Sequence, residues 1–108
     1  MQIYTENKAI IELYTTGKTS DKRYKKIPIG AIKGFIKAYN ILEREDRIEG
    51  LYKHHSLNYE KLRGNLNGFE SVRCDKRYRL IFKSFPKENE IIITEIELIE
   101  ITNHYDSL

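Results

Sequence analysis

Glu60 stands in the run Asn58-Tyr59-Glu60-Lys61-Leu62-Arg63-Gly64, arginines follow at Arg73, Arg77 and Arg79, and the chain closes on Asn103-His104-Tyr105-Asp106-Ser107-Leu108. A carboxylate, several guanidinium groups, an imidazole and a phenol are the parts needed to cleave RNA through its own 2′-hydroxyl. A base takes the 2′ proton, cations stabilise the crowded phosphate, and an acid protonates the departing 5′-oxygen. Each proton transfer is worth roughly 10²–10⁴-fold, and preorganised positive groups often contribute more. Glu60 has the chemistry of the base, with Lys61 and Arg63 beside it to set its proton affinity against burial. Arginine suits phosphate because its planar fork donates two parallel hydrogen bonds. His104 is a natural acid near neutral pH, and Tyr105 can donate to a phosphate oxygen or stack on a base.

Each of these residues also has a plainer reading. Glu60 alone is an exposed loop glutamate. Strand alternation places Arg77 and Arg79 on one face, opposite Tyr78, Leu80 and Phe82, which equally describes the charged outer side of a half-buried sheet. A terminal His-Tyr is commonly just a tail. His54 and His55 invite a metal, but no carboxylate or cysteine stands at ligand spacing on a regular element, so neither a metal nor a cofactor is expected. The sequence has no Gly-rich phosphate loop, nucleophile elbow or dinucleotide fingerprint.

The formal net charge of +3 is too mild to argue for nucleic acid by itself. Its distribution says more. Lys18, Lys22, Arg23, Lys25 and Lys26 face only Asp21 across one stretch, while Lys61, Arg63, Arg73, Lys76, Arg77 and Arg79 outnumber Glu60, Glu70 and Asp75 in another. Local positive fields of this kind steer a polyanion. Lys61, Arg63, Lys76, Arg77, Lys22, Arg23, Lys25 and Lys26 are therefore the candidates for contact with RNA or a ribosome. Two merely solvated basic faces are the alternative. A single cysteine, Cys74, excludes an intrachain disulfide and reads as a small core residue. Met1 to Asn7 lacks the shape of a signal peptide, and no apolar run approaches the roughly 20 residues that span a bilayer. A reducing cytoplasm, with no membrane partner, is the expectation.

These residues need a scaffold, and 108 residues make one domain, 1–108. Gln2 to Tyr4 reads as a short strand. Asn7 is an N-cap, Ala9, Ile10, Leu13 and Tyr14 repeat at helical spacing, and Gly17 is a stop. Lys18 to Ile27 is a basic loop. Pro28 opens a second helix whose stripe is Ile29, Ile32, Phe35, Ile36, Tyr39 and Leu42, with Gly30 and Gly34 allowing close packing. Glu43 to Gly50 holds a short extra turn, and Leu51 to Tyr59 is irregular. Phe69 to Cys74 and Arg77 to Phe82 are strands joined by a tight turn at Asp75-Lys76, and Pro86 to Asn89 form the next turn. Ile91 to Ile101 is the last strand. Its alternation through Ile92, Thr94, Ile96 and Leu98 slips at Ile99, the mark of a β-bulge that re-aims His104 and Tyr105. Helices followed by strands predict an α+β fold: a small antiparallel sheet with two N-terminal helices on one face and the other face free to bind.

The stretch Glu60-Lys61-Leu62-Arg63-Gly64-Asn65-Leu66-Asn67-Gly68-Phe69-Glu70-Ser71-Val72-Arg73, continued by Arg77-Tyr78-Arg79-Leu80-Ile81-Phe82 and closed by His104-Tyr105, resembles the RelE/ParE superfamily of bacterial toxins. It is most similar to the YoeB and HigB branches. The resemblance implies a microbial RNase-type fold and metal-independent cleavage of mRNA in the A site of the small ribosomal subunit. It implies Glu60 as general base, Arg79 as transition-state stabiliser with Arg73 in support, His104 as general acid, and Tyr105 as the residue that orients substrate. It also implies a cognate antitoxin as partner, alongside mRNA and the ribosome. Two departures stand out: HigB-type chains often carry a histidine near the position of Glu60, and this chain continues past the tyrosine. The alternative within the same superfamily is a non-enzymatic, ParE-type inhibitor of DNA gyrase.

Overall fold

Strand-forming residues dominate the second half of the chain and pair there in sequence order. In the computed structural model, which describes residues 1–87 and 93–104, β1 is Gln2–Tyr4, β2 Glu60–Lys61, β3 Glu70–Arg73, β4 Arg79–Lys87 and β5 Ile93–Thr102. They make one sheet of order β1-β5-β4-β3-β2. The β2–β3, β3–β4 and β4–β5 pairs are antiparallel, and β1 runs parallel to β5. The α+β fold forms as expected, with one parallel pair added. That pair is possible because nearly the whole chain, helices included, intervenes between its strands.

Helix α1 (Lys8–Thr16) and helix α2 (Ile29–Arg44) both cover the face that carries Val72, Leu80, Phe82, Ile96, Leu98 and Ile101. Asn7 caps α1 by accepting from the Ala9 and Ile10 N–H groups at 3.1 and 3.4 Å, and Gly17 ends it with a left-handed φ of 76°. In α2 the buried face is Ala31, Phe35, Ala38, Ile41 and Leu42, while Ile29, expected in the stripe, is 73% exposed. Close approach explains the rotation. A Cβ built on Gly34 would lie 1.8 Å from the Cys74 carbonyl oxygen, so the helix rests directly on the backbone at the end of β3. Ala31 and Ala38, one turn to either side, are small and fully buried on the same helix face. Gly30 faces open space and has no such role.

Three other details differ from the sequence reading. The segment Leu51 to Tyr59 is organised by short 3-10 turns at Ile48–Lys53 and His55–Leu57. The β3–β4 connection is longer than a two-residue turn. The Asp75 carboxylate accepts from the Arg77 and Tyr78 N–H groups at 2.8 and 2.7 Å, which removes Arg77 from the strand. Pro86 and Lys87 of the expected Pro86–Asn89 turn lie within β4, opposite Thr94 and Ile93, and Glu88, Asn89, Ile91 and Ile92 lie outside the described residues.

The expected bulge is present. Ile81 pairs with Glu100 and Phe82 with Leu98, leaving Ile99 as the extra residue. Before it, Thr94, Ile96 and Leu98 are buried on the core side; after it the phase flips, so Ile101 faces the core while Glu100 and Thr102 lie on the outer face.

Gly34→Ala is expected to destabilise the protein by about 1–3 kcal/mol through overpacking, in spite of its helix propensity. Gly30→Ala is expected to stabilise it by about 0.4–1 kcal/mol. Urea unfolding of the two variants checks this, and a Gly34→Ala protein as stable as wild type would show that α2 does not rest on Cys74.

Candidate active site

Cross-strand partners share a sheet face. One outer-face rung is therefore Glu60–Ser71–Ile81–Glu100, and the next is Arg73–Arg79–Thr102. His104 follows two residues beyond Thr102, its N–H donating to the Thr102 hydroxyl at 3.0 Å. The sheet thus gathers Glu60, Arg73, Arg79 and His104 from three strands and a tail onto one end of one face. Glu60, Arg73 and His104 are exposed. Tyr105 and the Asp106–Leu108 tail lie outside the described residues.

Arg79 departs from the expectation. It is not part of an exposed charged face, because only 1% of it is exposed. Its side chain lies across β3. Nε donates to Ser71 Oγ at 2.7 Å, and Nη2 donates to the Asn58 carbonyl and, at 3.4 Å, to the Ser71 carbonyl. A buried cation needs such partners, since an uncompensated one is strongly destabilising. Ser71 and Ile81 are buried beside it, so the centre of the outer face is closed rather than free.

The other cations divide by geometry. Lys76 and Arg77 are exposed in the turn between Arg73 and Arg79, at the same end of the sheet. The basic loop also arrives there. Tyr24 is buried, and its hydroxyl accepts from Asn7 Nδ2 at 2.9 Å and from the Ile101 N–H at 3.4 Å, which lays the loop along β5 just beyond β1. Lys22, Lys25 and Lys26 are exposed on it. Arg23 is engaged: Nε and Nη2 bond the Asp21 carboxylate at 3.1 and 2.7 Å, and this hydrogen-bonded guanidinium brings the Asp21 carboxyl down to about 2. Lys61 does not join the site. It pairs with Glu70 on the helix side of the sheet and lines a separate cavity of about 330 Å³ with Arg47, Tyr59, Glu70 and Ser84. Arg63 lies at the opposite end of β2 from the Arg73 rung.

Buried Glu70 also belongs to the helix side, where it accepts from the Tyr59 hydroxyl at 2.5 Å and the Ser84 hydroxyl at 2.6 Å. Burial, and then this carboxylate, push the Tyr59 phenol far above its usual range. His54, one of the two candidate metal ligands, bonds Glu45 Oε2 at 2.8 Å, and no group of three or more metal-ligating residues occurs among the described residues. Ser71 and Asn58 entered the site without being foreseen. A small polar residue at an otherwise apolar strand position was the signal for Ser71. For Asn58 it was asparagine's tolerance of positive φ, here 43°.

The class of protein is that of the RelE-like toxins. A YoeB/ParE toxin from Agrobacterium tumefaciens matches this fold with a TM-score of 0.52, covering 97% of this chain and 100% of that one at 16% identity. The model of the HigB-like toxin family, RelE-like toxins of type II toxin–antitoxin systems, matches residues 6–98, and the chain belongs to that family. It is also 35% identical over 63 residues to Toxin HigB-1 of Vibrio cholerae serotype O1, a match that covers 58% of this chain and 66% of that protein, just under two thirds of the relative's length.

Cys74 reports on the packing at this end of the sheet. Burial under α2, and then the neighbouring Asp75 charge, push its thiol up to about 12. Alkylation of the native protein at pH 9 is expected to run on the order of 10²–10³-fold slower than in denaturant, because only thiolate reacts. Equal rates would show that α2 does not shield Cys74.

Proposed function

We propose that this toxin is an endoribonuclease that cleaves mRNA on the ribosome by attack of the 2′-hydroxyl, with no requirement for a metal. The observation that carries the reading is the convergence of Glu60, Arg73, Arg79 and the His104 tail on one end of the outer sheet face. Glu60 takes the 2′ proton. The 2′-oxygen bonds phosphorus, the bond to the 5′-oxygen breaks, and His104 gives its proton to the leaving oxygen. The products are a 2′,3′-cyclic phosphate and a free 5′-hydroxyl. Arg73, exposed on the same rung as Arg79, meets the phosphate, and the enclosed Arg79 supplies a fixed positive charge behind it. Tyr105 orients the substrate. Lys76 and Arg77 on one flank, and Lys22, Lys25 and Lys26 on the other, hold RNA or ribosomal phosphates. A cognate antitoxin restrains the activity in the cytoplasm.

Gyrase inhibition without catalysis is the competing function for a chain of this superfamily. It gives no reason for a base, a phosphate-facing arginine and an imidazole to share one end of the sheet.

The test is cleavage of a defined mRNA with and without programmed ribosomes, in EDTA. Wild type is expected to cut only on ribosomes and to leave cyclic phosphate ends. Glu60→Gln and His104→Gln, both at exposed positions, should fold normally and lose roughly 10²–10⁴-fold in rate. No cutting by a folded protein that still arrests growth would move the assignment to gyrase.

A further inference from the structure

β2 is a two-residue edge strand whose register rests on Glu60 opposite Ser71 and Lys61 opposite Glu70. So short an edge frays unless something else holds it. The segment just before it supplies the hold. Asn58 adopts a left-handed backbone, φ 43° and ψ 56°, and its carbonyl accepts from Arg79 Nη2 across the width of β3. The intervening residue, Ser71, has 0% exposure, pairs with Glu60 through the backbone and accepts from Arg79 Nε at 2.7 Å through its hydroxyl. The Asn58 amide extends the chain of contacts to Glu60, with Nδ2 3.5 Å from Oε1.

We propose that Ser71 and Asn58 are positioning residues of the active site: the Ser71 hydroxyl and the Asn58 carbonyl clamp the Arg79 guanidinium, and the same clamp pins the Glu60 segment to the sheet. Arg79 therefore orders the base as well as supplying charge. Ser71 is too buried to touch RNA and acts only through Arg79 and Glu60. The left-handed turn at Asn58 is what aims its carbonyl inward, and a β-branched residue there opposes that conformation. The catalytic consequence rests on the ribonuclease reading above; the clamp itself does not.

Two measurements test the clamp separately from that reading. The first is amide hydrogen exchange across residues 58–61. Ser71→Ala and Asn58→Val are expected to speed exchange there at least about tenfold while the β4–β5 amides keep their protection, as local opening allows. Unchanged exchange at 58–61 overturns the clamp, whether or not the protein cuts RNA. The second is steady-state cleavage on ribosomes. Ser71→Ala is expected to lower kcat on the order of 10²-fold with KM nearly unchanged, the signature of a mispositioned catalytic group. Ser71→Thr, which keeps the hydroxyl, should recover most of that loss. In an Arg79→Ala background, Ser71→Ala should add little, because the two act as a unit. A Ser71→Ala enzyme with wild-type kcat, or one with the same loss in both backgrounds, overturns the positioning role. A wild type that cuts no RNA instead overturns the ribonuclease reading, and exchange alone then decides the clamp.

Discussion

A guanidinium with 1% exposure sets the terms for this end of the molecule. Ionised groups leave water at a cost of several kcal/mol, and only well-made hydrogen bonds return it. The sheet meets that demand locally. Ser71 stands where a valine or isoleucine would otherwise pack, and the chain turns left-handed at Asn58 so that a carbonyl points inward. Two consequences follow. The segment leading into β2 is tied to the sheet interior, and Glu60 emerges at the edge beside a fixed positive charge. Among the described residues no buried side-chain nitrogen or oxygen lacks a hydrogen-bond partner, so this cation is part of a satisfied interior rather than a point of strain.

β5 is the other organising element. It pairs with β4 along one edge and with β1 along the other, and beyond β1 its free edge is met by Thr5, Asn7 and Tyr24. Asn7 shows how economical this is: its carboxamide oxygen caps α1 while its Nδ2 donates to Tyr24 and to the Ile99 carbonyl. The tie brings the basic loop from the first quarter of the chain to the strand that ends in His104. The bulge at Ile99 does the complementary work by letting Leu98 and Ile101 both face the core, three residues apart. Without the extra residue, Thr102 and the tail beyond it would continue on the helix side.

Much of this was legible in the sequence because the signals were local. Asn7, Gly17, the Ile99 slip and the hairpin strands each announce themselves within a few residues. The run from Glu60 to Phe82 was specific enough to indicate the superfamily. What escaped depended on distant partners. The burial of Arg79 is set by Asn58 and Ser71, which neither periodicity nor composition links to it. Hydrophobicity alone turns the buried face of α2 toward Ile29, because it carries no information on how closely the helix can approach the sheet. The helix buries its small residues Ala31 and Ala38 and sets Gly34 against the Cys74 backbone, which only a residue without a Cβ admits. Lys61 adjoins Glu60 in sequence, yet a strand sends adjacent side chains to opposite faces. Arg77 reads in sequence as the start of a strand, yet the turn is longer than two residues, since the Asp75 side chain builds it from N–H groups that a strand would use.

Placement also decides what a net charge of +3 means for this surface. Fields between exposed charges fade over roughly 8–10 Å at physiological salt. What matters is therefore which cations lie within that distance of one another, not the total. Arg73, Lys76 and Arg77 approach the His104 end from β3 and its turn, while Lys22, Lys25 and Lys26 approach it from beside β5. Glu95 and Glu97 occupy the outer face of β5 before the bulge, with Glu100 just after it. Exposed cations thus gather at one end of the sheet and acids along its middle. The acids that nearly cancel the net charge give the cationic end a boundary, so the surface potential is polarised along the sheet rather than uniform.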